Sequence, residues 1–369
     1  MAQIPNGTNH RGTLEPYLEH SSRTYDLVSY SEIHSSLRRS LIERAFDIAE
    51  VAKVAESLIG TVRKFLEVRK APPIDINHIE SGAVDAGVNG KNLLVGFCPV
   101  IVAVGSVFKG VVMKGSPIAA TTKLAKIYKD EEEGRKIANL VGFYLQFELA
   151  RRLVEEGVDI IIVDGPLAIS KVHYSTISRK YSKSFIITYE ETLESLLSLL
   201  SESREANILT VGLVKRVRSS IIPRMLNVDR RLNDSVIASI SLSTKEYTKP
   251  LPLPRDWSDI PAEAQWRGFW GHGLKPNAVF VKGSSKRVYR LEVPEYALSK
   301  LDYIVGALTS LSDPRSGLPI PLSHVDRLAR ITEQTSNSAY LRLFREVMLR
   351  LGPSSAQLLN IVTLQHGEV

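Results

Sequence analysis

A chain of 369 residues, 44% hydrophobic and 24% charged, has apolar material for one large core or two modest ones. Forty-seven basic against forty acidic side chains leave +7 at pH 7, a balance that suits a polyanionic partner but does not by itself identify one. Cys98 is the only cysteine, which excludes an internal disulfide and a cysteine-rich zinc site and fits a reducing, cytoplasmic setting.

In chain order, residues 1–35 are rich in Asn, Gly, Ser and His and read as a loosely ordered tail without an apolar signal segment. Helical spacing begins at Ser36 and runs to Val68, with Leu41, Ile42, Ala45, Phe46, Ile48 and Ala49 on one face. Ala71-Pro72-Pro73 is expected to end this helical arm, residues 36–70, because proline cannot continue the ladder. Gly82 to Met113 is dominated by Val, Ile, Phe and Gly, a pattern of two or three adjacent strands. The longest apolar run, Leu93 to Phe108, is interrupted by Gly96, Pro99 and Gly105 and falls short of the ~20 residues a spanning helix needs, so no membrane association is expected.

A long helix is predicted from Asp130 to Glu156, opened by acidic residues that suit its dipole and stopped by Gly157. Val158 to Val163 is β-branched throughout except at Asp159, as in a strand buried on both faces, and ends at Asp164-Gly165-Pro166. Further strands are predicted at Phe185–Thr188, Ile208–Val214, Val236–Ser243, Ala278–Val281 and Val288–Val293, with a long loop from Lys249 to Trp270. Helix returns from Pro321 through Ala329 and from Tyr340 to Leu351. The order implies an α/β fold, a mixed sheet covered by helices over residues 71–335, with a C-terminal helical extension at 336–369.

Three carboxylates stand out. Asp85 lies among small residues where a strand begins, and Asp164 lies where a buried strand ends beside glycine and proline, positions at which side chains converge and ligands approach the backbone. Either is also an ordinary turn residue. Glu148 shares a helical face with Ile137, Val141, Tyr144 and Leu145, so it needs a partner. That partner is either an arginine such as Arg151 or Arg152, or a metal ion shared with Asp85 and Asp164. Carboxylates from two strands and a helix make a hard, oxygen-rich site for Mg²⁺ or Mn²⁺, and a pair of such ions serves phosphodiester cleavage. No phosphate-binding GxxxxGK[ST] loop is present, so the chain is not expected to hydrolyse ATP.

The ordered motifs Ala83-Val84-Asp85-Ala86-Gly87, Glu148, Ile162-Val163-Asp164-Gly165-Pro166-Leu167, Gly212 to Arg218, Tyr289-Arg290-Leu291-Glu292-Val293-Pro294 and Gly317-Leu318-Pro319-Ile320-Pro321-Leu322 resemble those of the NurA nucleases. The likeness runs from about Pro73 to Ile331. It implies an RNase H-like mixed sheet flanked by helices, a manganese-dependent homodimeric nuclease, and a role in DNA end resection beside the hexameric HerA ATPase of archaea and some bacteria. Asp85, Glu148 and Asp164 correspond to the family's metal-binding acids, and Lys215 to a lysine that contacts the scissile phosphate or is simply part of a solvated basic turn. Arg216 and Arg218 are expected to touch the DNA backbone.

The last motif departs from the family pattern. Leu318 stands where a tyrosine is usual and Asp326 where a histidine is usual, with His324 two residues earlier. Residues two apart on a helix point about 200° from each other, so only one of these faces the site, and Asp326 is preferred as the fourth ligand. The resulting expectation is a 5′-3′ exonuclease and single-strand endonuclease using one pair of Mn²⁺ or Mg²⁺ ions. A catalytically weak DNA-binding adaptor of the translocase is the alternative, suggested by Leu318. Trp257, Trp266 and Trp270, near Arg255 and Arg267, either stack on bases or pack their loop.

Overall fold

The computed structural model describes residues 32–121, 126–169, 182–217, 219–228, 232–253, 272–284 and 287–351. The chain divides into two units, residues 1–52 and 53–369. What is described of the first unit lies in helix α1 (Ile33–Ser57) and the residue before it. In the second unit, α2 (Ile59–Leu66) ends at Glu67, whose left-handed backbone (φ 45°) turns its amide back to the carbonyls of Arg63 and Lys64. This cap closes the helical segment before the Ala71-Pro72-Pro73 stop expected from sequence.

The strands are β1 (Arg69–Lys70), β2 (Glu80–Leu93), β3 (Gly96–Lys109), β4 (Val112–Thr121), β5 (Ile160–Asp164), β6 (Leu209–Val214), β7 (Glu246–Tyr247), β8 (Leu251–Pro252), β9 (Pro276–Ser284) and β10 (Arg287–Pro294). They form one sheet in the order β1-β7-β9-β10-β6-β5-β2-β3-β4, with β8 on β9. Parallel pairing joins β2 to β5 and β5 to β6, and the outer pairs are antiparallel. Within the run β4-β3-β2-β5-β6 only β3 opposes the rest, the RNase H-like arrangement that the resemblance implies.

Helices cover both faces of this mixed sheet. On one side lie α3 (Glu131–Glu155) and α4 (Lys183–Glu205), packed with Val84, Ile161 and Val163. On the other, α7 (Leu301–Ser310) and α8 (Ile320–Ala329) pack with Ala83, Ile160, Ile162, Val211 and Leu213. Alternation along each strand sends neighbouring residues to opposite cores, which is why the central strands read as continuous apolar runs. Short α5 (Ile221–Leu226) and α6 (Asp234–Ser241) follow β6, and α9 (Glu333–Leu351) follows α8.

Two predicted strands are helices. Phe185–Thr188 opens α4, where the Ser182 side chain caps the Phe185 amide and Phe185, Tyr189, Thr192, Leu193 and Leu196 are buried at helical spacing. Val236–Ser243 falls largely in α6, capped by Asn233, with Ile237, Ala238 and Ser241 buried. In both places a short run of branched residues outweighed a capping residue just ahead of it. The Pro- and Trp-rich loop, with its three tryptophans, lies outside the described residues beyond Leu253.

Helix α8 seats directly on β2. A Cβ at Gly87 would lie 2.0 Å from the Ala329 carbonyl oxygen, so the two backbones approach as only glycine allows. Gly87→Ala should therefore cost at least about 1–3 kcal/mol in equilibrium denaturation. At Gly60 in α2 no atom outside its chain neighbours and its own helix backbone lies within 4 Å of an added Cβ, and Gly60→Ala should be neutral or stabilising in the same measurement.

Candidate metal centre

The parallel register sets two acids side by side. Val84 pairs with Val163, so Asp85 follows on β2 next to Asp164 at the end of β5. Asp164 in turn pairs with Leu213 of β6, and the chain leaving β6 carries Lys215 back over the same point. Asp326 arrives from α8 on that face. Carboxylate oxygens of Asp85, Asp164 and Asp326 all lie within 4.8 Å of one another. The site thus forms at the carboxyl ends of β5 and β6, the position where open α/β sheets gather ligand-binding groups.

Lys215 is the cation at the centre of this group. Its Nζ donates to Asp164 Oδ2 at 2.7 Å and to Asp326 Oδ1 at 2.5 Å. Burial works against the ammonium charge, but Asp164 and Asp326 outweigh it and hold the amine's pKa above its ordinary value. Asp85 is 7% exposed. Burial first, then the charge of Asp164, pushes its carboxyl up to about 8, with Lys215 pulling the other way. Burial and the neighbouring acids raise the Asp85 pKa even with the Lys215 ammonium at hand, so the group has capacity for further positive charge. Its donors are carboxylate oxygens only, as a hard divalent cation prefers.

Helix α3 meets this cluster through Gln146, which sequence reasoning did not single out. Its amide nitrogen donates to the Asp164 main-chain carbonyl at 3.0 Å, and its oxygen accepts from the Ala86 amide at 2.8 Å. One amide atom lies 3.5 Å from Asp85 Oδ1. Gln146 therefore ties together the two strands that carry Asp85 and Asp164.

Glu148, two residues on, points away. It accepts from Arg151 at 3.1 Å and from the Ser195 hydroxyl at 2.6 Å, and Arg151 also binds Glu202 of α4. Of the two partners considered for Glu148, the structure provides the arginine, and the residue stands outside the carboxylate cluster.

The structure separates the two candidates on α8 as helical geometry requires. Asp326 faces Lys215, while His324 lies edge-on to Phe108 at 5.9 Å and beside Arg327. Leu318 is buried in the core beneath α7 and α8. Arg216 is exposed, and Arg218 lies outside the described residues.

A buried ion pair braces the loop after Asp164. Glu292 on β10 is fully buried, and its Oε2 accepts from the amides of Leu167 (2.8 Å) and Ala168 (2.7 Å). Its Oε1 takes the Arg290 guanidinium at 2.6 Å, and Arg290 reaches Ser219 beyond β6. Gly165, at φ +121°, makes the turn, with the Phe143 ring 2.9 Å from where a Cβ would stand. The Tyr289–Pro294 motif thus has a physical reason: it fixes the backbone that presents Asp164.

A model of the NurA domain family matches residues 46–331. The crystal structure of the NurA nuclease from Sulfolobus solfataricus is similar over 86% of this chain and 98% of its own, with a TM-score of 0.63 and 16% identity. A NurA crystal structure with manganese matches over 81% of this chain and 96% of its own, at TM-score 0.57 and 11% identity. Another, bound to dAMP and manganese, matches over 83% and 94% at TM-score 0.55 and 11% identity. No curated protein sequence matches the chain.

Two outcomes follow from this geometry. Folded Asp85 holds its proton up to about pH 8, against 3.8 for an unperturbed aspartate, so its stabilising contribution is complete below about 3.8 and lost as pH rises through about 8. In chelator, the melting temperature should therefore fall across that interval, and Asp85→Asn should flatten the fall. Glu292→Ala takes the carboxylate away from the buried Arg290 guanidinium and from the Leu167 and Ala168 amides, and should cost about 3–5 kcal/mol by denaturant titration.

Proposed function

The chain belongs to the NurA family, and from that premise we propose that it is a divalent-metal-dependent DNA nuclease centred on Asp85, Asp164 and Asp326. The observation that carries this reading is the convergence of three carboxylates on one point at the strand ends, with Lys215 bridging two of them and Arg330 at the outer edge of Asp326. The carboxylates suit Mn²⁺ or Mg²⁺, and the related structures with manganese, one of them also with dAMP, agree with that choice. A pair of such ions would polarise the scissile phosphate, activate water and offset charge on the departing oxygen.

The residues of the chain divide the remaining work. Asp85 and Asp164 would hold the ions from the sheet and Asp326 would hold them from α8. Gln146 keeps the strands at their spacing and offers a neutral amide where a third acid was expected on α3. Lys215, relieved of balancing the acids, has its ammonium available for a phosphate oxygen at the same point. Exposed Arg216, and Arg218 beyond it, supply contacts to the DNA backbone that do not depend on sequence. The resemblance adds the finer reading: 5′-3′ exonuclease and single-strand endonuclease activity, as a homodimer, in end resection beside a HerA-like hexameric ATPase. Among the described residues no helix is long and apolar enough to cross a membrane.

Gln146 and Leu318 favour one other reading, a DNA-binding adaptor that keeps the fold and regulates the translocase without cutting. The same experiment separates the two. On labelled single-stranded DNA with Mn²⁺, the wild-type chain should cut, Asp85→Ala and Asp164→Ala should fall to background, and Glu148→Gln should keep most of its rate. Binding without cutting by the wild-type chain would select the adaptor. Wild-type rates in both aspartate variants would remove the carboxylate site from the chemistry.

A further inference from the structure

Beside the carboxylates a cleft of about 220 Å³ opens between α3 and β2, lined by Ala86, Val88, Asn139, Gly142, Phe143 and Gln146. That volume is below the roughly 300–1,000 Å³ of whole ligand pockets and suits one part of a ligand. Its α3 wall is a single helix face, since Asn139, Gly142, Phe143 and Gln146 recur at i, i+3, i+4 and i+7. The facing wall is Ala86 and Val88, which alternate onto one side of β2. Gly142 contributes no side chain, so the middle of the helix face stays open.

The cleft lies on the α3 face of the sheet and borders the candidate centre, which faces α8, at three points. Ala86 directly follows Asp85, Gln146 reaches within 3.5 Å of Asp85, and the Phe143 ring packs against Gly165, the residue after Asp164. Pairing between β2 and β5 stops at Val84 and Val163, so this side of β2 beyond Asp85 has no strand partner from β5. A group attached to a phosphate at the carboxylates would reach the cleft around this unpaired edge of β2, past the Gln146 amide.

The lining decides what kind of group enters. None of the six residues is charged, so the cleft offers nothing to a second phosphate. It does offer apolar walls, a half-buried aromatic ring and the exposed Asn139 amide, which can donate and accept. Phe143 is held by stacking on buried Phe147, with centroids 6.3 Å apart and 15° between planes, so little further ordering is needed for it to receive a flat ligand. Exposed Asn139 stands on the same face, with the edge of such a ligand within its range of chemistry.

We propose that this cleft is a nucleobase subsite: it takes the base of the nucleotide adjoining the scissile phosphodiester, with Phe143 as stacking platform and Asn139 as edge contact. The assignment rests on the nuclease reading and adds a specificity element to it. Because every base has a π-face and the Asn139 amide can donate or accept, the subsite requires a base but tolerates any of the four.

Two measurements on the full chain test it. With Mn²⁺, short labelled single strands carrying one abasic residue should be cut roughly ten- to a hundredfold more slowly at the bond beside the missing base. Phe143→Ala should abolish that difference, Phe143→Tyr should preserve it, and Asn139→Ala, an exposed change that spares the fold, should reduce it. In chelator, where nothing is cut, a strand containing 5-iododeoxyuridine should photo-crosslink to the peptide bearing Phe143. Crosslinks that map elsewhere, or variants that slow intact and abasic strands equally, overturn the subsite and leave the nuclease standing. A crosslink at Phe143 in a chain that never cuts supports the subsite and overturns the nuclease.

Discussion

Carboxylates brought within 4.8 Å of one another repel strongly, and more so when one of them is buried. Asp85, Asp164 and Asp326 are held together against that repulsion by two things. One is a parallel register that leaves Asp85 and Asp164 no freedom to separate. The other is Lys215, which neutralises Asp164 and Asp326 and leaves Asp85 to keep its proton. A cluster that must borrow a lysine and a proton to exist without metal is one that gains when divalent cations take their place. In this way the shape of the sheet sets the chemistry of the site.

Much of the surrounding structure serves that placement. Glu292 and Arg290 are a buried pair of the kind that contributes little net stability, yet here they clamp the amides of Leu167 and Ala168. The return is a fixed backbone behind Asp164. Gly87 lets α8 lie against β2 and so sets the reach of Asp326, while Gln146 bridges the main chain at Ala86 and Asp164. Each acts on a different element, and all converge on the spacing of the three acids.

Most of the sheet was legible in the sequence because its central strands are buried on both faces and announce themselves as β-branched runs ending in Gly-Pro or Lys-Arg. The acids at the strand ends were legible for the same reason, since a strand end is a defined place. Helix α3 was not so transparent. It packs on the sheet with one side and on α4 with another, so apolar residues occur nearly all round it and no single stripe marks the side facing the site. A visible glutamate, Glu148, therefore drew attention, although of the two it is Gln146, about 200° away, that reaches the strand ends. Helices α4 and α6 were misread because Phe185-Ile186-Ile187-Thr188 and Val236-Ile237 look like strand, whereas the deciding signal was a single capping serine or asparagine. Helix α7 passed unnoticed because it is buried almost throughout and carries hardly any polar face from which to read a period. Asp326 emerged only through the family likeness, since the fold alone brings α8 to the strand ends.

The claim most open to direct measurement is that the three acids form a cation site which Lys215 fills by default. Manganese binding to the DNA-free chain, followed by calorimetry together with the shift in melting temperature, addresses it without reference to catalysis. The account predicts saturable Mn²⁺ binding that raises the melting temperature, loss of both effects in Asp164→Asn, and tighter binding when Lys215→Met removes the competing ammonium. Absence of binding in the wild-type chain, or binding that Asp164→Asn leaves intact, would contradict it.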